Sequence, residues 1–256
     1  MENKDFIFKM SGLTMAYGDR TVLKDINLEV RPGEFWFLLG TNGVGKTTLL
    51  KALLGTLRPL QGSLELHPEV ADGEFIGFVP QRCDLNPTLP TTVNEFILLG
   101  LAGIRANKKE RVGRLSWALE RMNLSGMGEK SFWSLSGGQR QRALVARALI
   151  RRPKFLIADE PSINLDLPAA HALMEALKEL NRKENLTLLF VTHDLTLAAR
   201  YASHVALFLD GRVHVGPRHA ILNPQDLERT FGILISVFEE PRGALCVRIE
   251  RKEERP

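Results

Sequence analysis

Short apolar runs and helix-spaced apolar positions alternate along this chain. Phe35-Trp-Phe-Leu-Leu39, Phe75-Ile-Gly-Phe-Val79, Phe155-Leu-Ile-Ala158 and residues 186–191 are almost uninterruptedly apolar, as in strands buried on both faces. Between and after them, Leu49, Leu50, Leu53 and Leu54, then Leu173, Ala176, Leu177 and Leu180, recur at the spacing of one helix face. Strand and helix in turn predict an α/β fold with a mainly parallel sheet. Two stretches break the alternation. Residues 6–30 and 62–66 read as shorter strands, with turns at Gly18-Asp19 and Lys24-Asp25, which predicts an antiparallel β flank. Within residues 91–133, Val93, Phe96, Ile97, Leu115, Ala118, Leu119 and Met122 keep helix spacing, with Gly126 and Gly128 as breakers. An inserted α-helical subdomain over about residues 86–150 is expected.

Beyond residue 200 the pattern predicts a hairpin from 204–209 and 212–215 around Asp210-Gly211, then a helix over 224–230. A last hairpin is expected within 233–251 around Pro241-Arg-Gly-Ala244. The expected organisation is one domain over residues 1–235 and a C-terminal β-hairpin tail over 236–256. At 256 residues and 44% hydrophobic content, the chain can bury such a core. The net charge is +4, but acids and bases interleave, as in Arg248-Ile-Glu-Arg-Lys-Glu-Glu-Arg255, which reads as solvated surface and not a nucleic-acid stripe. Cys83 and Cys246 lack metal-type spacing, pointing away from a zinc site or disulfide framework and towards a reducing compartment. The N-terminus lacks the basic start and apolar core of a signal peptide, and the apolar run at 96–104 is too short to span a bilayer. Work at a membrane is expected to need another chain.

Candidate chemistry begins at Gly40-Thr41-Asn42-Gly43-Val44-Gly45-Lys46-Thr47, with Thr48 opening a helix. Bare glycines let backbone N–H groups converge on a phosphate, and the helix start adds its positive dipole end. In this GxxxxGKT pattern Lys46 reaches the terminal phosphates and Thr47 offers its hydroxyl to Mg²⁺. The core is thus read as a P-loop NTPase. Gln81, ending a strand, is placed for Mg²⁺ or water, although a strand-end glutamine alone is an ordinary polar terminator. Ser136-Gly137-Gly138-Gln139 opens a helix as a second anion site, or as a plain N-cap. Asp159 and Glu160 end a buried strand: Asp159 to hold Mg²⁺, Glu160 to orient and deprotonate a water, the bland reading being an N-cap cluster for the helix near Pro168. His193 follows another strand and is placed to donate to a terminal phosphate. Tyr17, upstream, is either a stacking surface for a base or simple packing.

Taken in order, Gly40 to Thr47, Gln81, Leu135-Ser-Gly-Gly-Gln139, Phe155 to Glu160 and His193 resemble the ATP-binding subunits of ABC transporters, over nearly the whole chain. LSGGQ is the most specific element. The resemblance implies that Tyr17 stacks on adenine, that Glu160 is the catalytic base, and that Gln81 and His193 complete the catalytic group. It also implies a head-to-tail dimer of two copies that sandwich two ATP molecules between one copy's Lys46 loop and the other's Ser136-Gly137-Gly138. Membrane permease subunits would dock near Gln81 and the helical insert, with a substrate-binding protein indirectly engaged, at the cytoplasmic face of the cell membrane. Leu165 and Asp166 are kept from the family's pattern, so cross-dimer communication is expected, while Ile163 and Asn164 depart from it.

The stretch from Asn86 to Glu95 resembles importers of metal ions or metal chelates, of zinc and manganese especially. A siderophore- or cobalamin-type importer is the neighbouring alternative. No His/Cys cluster accompanies it, so partner subunits would carry the metal. A GTPase would share the phosphate loop, but Asn107-Lys-Lys-Glu110 lacks the aspartate of a guanine reader. A DNA-associated ABC ATPase would need a long coiled coil before the signature helix, and sustained heptads are absent.

Overall fold

The computed structural model describes residues 5–71, 73, 75–81, 86, 88, 90–163, 165–209, 211–241 and 245–250. Readings that fall on Cys83, Asn164, Asp210 and residues 242–244 lie outside them, as does part of the 86–95 stretch. The chain forms two compact units: residues 1–67 with 189–256, and residues 68–188. The first unit opens with β1 (Phe8–Tyr17), β2 (Arg20–Val30), β3 (Phe35–Leu39), α1 (Lys46–Leu53) and β4 (Gln61–Leu66). The second holds α2 (Pro68–Ala71), β5 (Ile76–Val79), α3 (Val93–Leu98), α4 (Lys108–Arg121), α5 (Gly137–Leu149), β6 (Phe155–Asp159) and α6 (Leu167–Glu184). After β7 (Thr187–Val191), on which the units divide, the first resumes with α7 (Leu195–Tyr201), β8 (His204–Leu209), β9 (Arg212–Pro217), α8 (Arg218–Ile221), α9 (Pro224–Phe231), β10 (Ile235–Glu239) and β11 (Leu245–Ile249).

In the first unit β3 pairs in parallel with β8, and β9 adds antiparallel to β8. Every residue of β3 is buried, as the unbroken apolar run requires. Phe37 stacks on Phe190 at 5.0 Å between ring centroids and lies 5.1 Å from Phe35, each such ring contributing about 1.5–3 kcal/mol on burial. The antiparallel flank is present as a separate sheet in the order β2-β1-β4. The expected turn at Lys24-Asp25 is not. Asp25, at φ 53°, sits inside one long β2 as a bulge, its N–H donating to Thr14 Oγ1 at 3.2 Å, while the ladder steps from Leu13↔Ile26 to Met15↔Leu23. Aspartate accepts a left-handed conformation in a turn or a bulge, and here inward-facing Leu23 and Ile26 keep the strand going. β10 and β11 form the C-terminal hairpin, paired from Ile235↔Ile249 to Glu239↔Leu245.

In the second unit β5 and β6 run parallel, with Val79 opposite Ala158. The helical insert is built from α3, α4 and the front of α5, around Phe96 and Phe132 at 4.1 Å, with Arg147 over the Phe96 ring. Its helix starts are written locally. Thr92, Asn107 and Ser136 each accept from the backbone N–H three residues on, and Glu95, Glu110 and Gln139 each reach back to the capping residue. Asn107-Lys-Lys-Glu110 is therefore a capping box, which accounts for its composition.

Candidate functional site

The first unit carries the glycine loop between β3 and α1. Gly45 has φ 109°, and a Cβ there would lie 2.5 Å from Leu23 Cδ2, so only glycine fits. The loop exposes Thr41, Asn42 and Gly43 while Gly40 and Gly45 are buried and Val44 is half-buried. Lys46 is buried against the loop, its Nζ donating to the carbonyls of Gly40 at 2.6 Å and Thr41 at 2.8 Å. Its ammonium is thus held against the first two residues of the loop. Thr47 is exposed in the first turn of α1 and Thr48 is 6% exposed. Tyr17, 43% exposed at the end of β1, is joined to that helix: hydrogen bonds from the Thr48 hydroxyl, then from Lys51, hold its phenol below the usual tyrosine range. His193 is exposed just beyond β7. Thr192 before it donates its N–H to Leu38 O at 3.3 Å, two residues ahead of Gly40, and Asp194 after it caps α7 through the N–H groups of Thr196 and Leu197. The histidine is therefore pinned beside the root of the loop.

The second unit carries the remaining candidates. The β5–β6 register brings Gln81, exposed, and Asp159 and Glu160, both buried, out at the same end of the paired strands. Glu160 has φ 47°, a left-handed conformation that an ordinary side chain adopts at a cost of about 1–3 kcal/mol. The left-handed φ ends the strand that Asp159 still follows. The N-cap of α6 is Asp166, which accepts from Ala169 N at 2.8 Å, so the Asp159-Glu160 pair is not the cap of that helix. At the start of α5, Ser136 and Gln139 cap each other, leaving Gly137 exposed and Gly138 half-buried. A Cβ on Gly138 would lie 2.9 Å from Ala169 Cβ, so the starts of α5 and α6 meet at a point where a side chain does not fit. Lys51, missed by the motif reading, is the further residue at the site: its position three after Thr48 puts both on one helix face, the signal that could have found it. Among the described residues no helix is long and apolar enough to cross a membrane, and no cluster of three or more His, Cys, Asp or Glu is placed to hold a metal ion.

A buried strand, a glycine loop closing on a lysine, and a second strand ending in Asp-Glu define a nucleoside-triphosphate hydrolase of the phosphate-loop class. The ABC transporter family model matches residues 23–163, and the chain belongs to that family, as an ATP-hydrolysing subunit coupled to transport. It is 37% identical over 223 residues to the zinc uptake system ATP-binding protein ZurA of Listeria monocytogenes, covering 81% of this chain and 86% of that protein. It superposes on a chain of an inward-facing metal-chelate type ABC transporter with a TM-score of 0.85, 27% identity and coverage of 96% and 98%. It is also similar to a dimeric bacterial ABC transporter cassette, with a TM-score of 0.70, 30% identity and coverage of 82% and 98%.

Proposed function

We propose that this chain powers import of a divalent metal ion or metal chelate, of the zinc and manganese type, through separate membrane subunits at the cytoplasmic face of the cell membrane. Two copies bind two ATP molecules head to tail. The observation that carries the shared site is the start of α5, where exposed Gly137 follows a capped Ser136 and presents N–H groups that the helix itself does not use. The dimeric neighbour supports that arrangement, and the zinc-uptake relative and the metal-chelate neighbour support the cargo.

Each residue has a role in this reading. The base stacks on Tyr17. Backbone N–H groups of the loop from Gly40 to Gly45 take the phosphates, and Lys46 exchanges its carbonyl partners for β- and γ-phosphate oxygens. Oxygen donors from Thr47, Gln81 and Asp159 suit Mg²⁺, which when bound neutralises charge on the phosphates. Glu160 takes a proton from a water whose oxygen bonds to the γ-phosphorus as the bond to the β–γ bridging oxygen breaks, leaving ADP and phosphate. His193 donates to the γ-phosphate, and Ser136, Gly137 and Gly138 of the second copy close on it. Asp166, as the cap of α6 beside Gly138, links one seam to the other.

The test is reconstitution with the membrane subunits and binding protein in vesicles. Zinc or manganese delivered by the binding protein should accumulate with ATP and raise hydrolysis. If neither ion is taken up while a metal chelate is, the cargo is the siderophore or cobalamin type that the metal-chelate neighbour favours. If no metal species moves, the import reading is wrong.

A further inference from the structure

Tyr17 is exposed yet tethered. An aromatic ring with 43% of its surface open would ordinarily sample several rotamers, and ordering it on ligand binding costs entropy. Here Thr48 and Lys51, on one face of α1, both act on its hydroxyl. Thr48 is buried, so that anchor is fixed by the core. The Lys51 Nζ also stands over the ring, 5.3 Å from its centroid, within reach of a cation–π attraction.

We propose that Lys51 is a positioning residue for the nucleotide: together with Thr48 it fixes the plane of the Tyr17 ring and covers one of its faces, leaving the opposite face as the platform for the base. The inference rests on the reading of Tyr17 as that platform. The phenol is lowered in keeping with this placement, because Thr48 and the Lys51 ammonium favour charge on the phenolic oxygen. A face carrying an ammonium rejects a base, so the geometry selects the side from which the nucleotide enters. The ring contributes stacking and no base-edge hydrogen bonds, so the effect of Lys51 is felt by any nucleoside triphosphate and not by a bare polyphosphate.

The experiment uses the full chain and compares ATP with inorganic tripolyphosphate. Lys51→Met should raise the Kd and KM for ATP about three- to tenfold, with kcat changed by less than about twofold. The Ki of tripolyphosphate should stay unchanged, and Lys51→Arg should recover most of the ATP affinity. In a Tyr17→Ala background, Lys51→Met should add nothing. If Tyr17→Ala itself leaves ATP affinity intact, the platform reading falls. If Tyr17→Ala weakens ATP but Lys51→Met does not, or if it weakens tripolyphosphate equally, the role of Lys51 is overturned and the platform stands.

Discussion

At the scale of single residues, Glu160 combines burial, a strained φ of 47° and a place at the end of β6. Replacing it with glutamine keeps shape and backbone and removes only the proposed base. Glu160→Gln should hold ATP within about twofold while turnover falls at least about a hundredfold, read by equilibrium binding beside single-turnover hydrolysis. Lys46→Ala should instead weaken binding itself. Near-normal turnover in the glutamine variant would assign the proton to another group. Tyr17 gives a second expectation. Its folded phenol titrates below the unfolded value, so the linked stability appears as pH rises from the folded pKa towards the ordinary range near 10 and is absent below it. Of the two tyrosines, one should ionise early in an absorbance titration, and Tyr17→Phe should delete that early step. Spacing alone marks the glycine loop, Lys46 and the Asp159-Glu160 pair, because such residues at fixed offsets have few other uses, while Tyr17, Gln81, Ser136 and His193 take their roles from the family resemblance. Lys51 is marked by neither, since a lysine on an exposed helix face looks solvated until the ring beside it is located.

Among elements, the helix starts were read only in part: Ser136 was read as an N-cap, whereas the caps at Thr92, Asn107 and Asp166 were not, although a capping box is complete within four residues. Ser136 and Gln139 satisfy each other's N–H groups, which leaves those of Gly137 and Gly138 for the proposed second copy. Capping therefore does not compete with the ligand binding proposed for this stretch. Asp166→Ala should cost about 1 kcal/mol of stability through the lost cap of α6, measured as a lower urea midpoint with an unchanged slope. Gly138→Val should cost more activity than stability if the meeting of α5 and α6 sets the signature tip, because its first carbon already collides with Ala169. The bulge at Asp25 shows where local reading ends. Whether aspartate makes a turn or a bulge depended on Thr14 and on the register of a partner strand, neither of which lies in the local pattern.

For the whole molecule, the mixed α/β fold with parallel pairing and an antiparallel flank follows from the alternation of apolar runs, and the similarity to solved ABC cassettes agrees with it. The division of the first unit between residues 1–67 and 189–256 was not visible, because apolar runs do not name their neighbours. A shared site makes one further demand on the assembled protein: hydrolysis by the isolated chain should rise more steeply than linearly with protein concentration until the dimer saturates. Strictly linear behaviour throughout that range would place a complete site in each copy.

The split in that unit also orders events while the polypeptide is being made. The Phe35 N–H finds the Ser203 hydroxyl 168 positions later, and Thr192 and β8 close on β3 only then, so the strand that launches the glycine loop emerges from the ribosome long before anything it will pair with. Residues 68–188 arrive in one piece and carry their own helix latches. A nascent chain arrested before Thr187 would therefore expose the wholly apolar β3 with neither β7 nor β8 beside it, and that is the length at which a holding chaperone would be most needed.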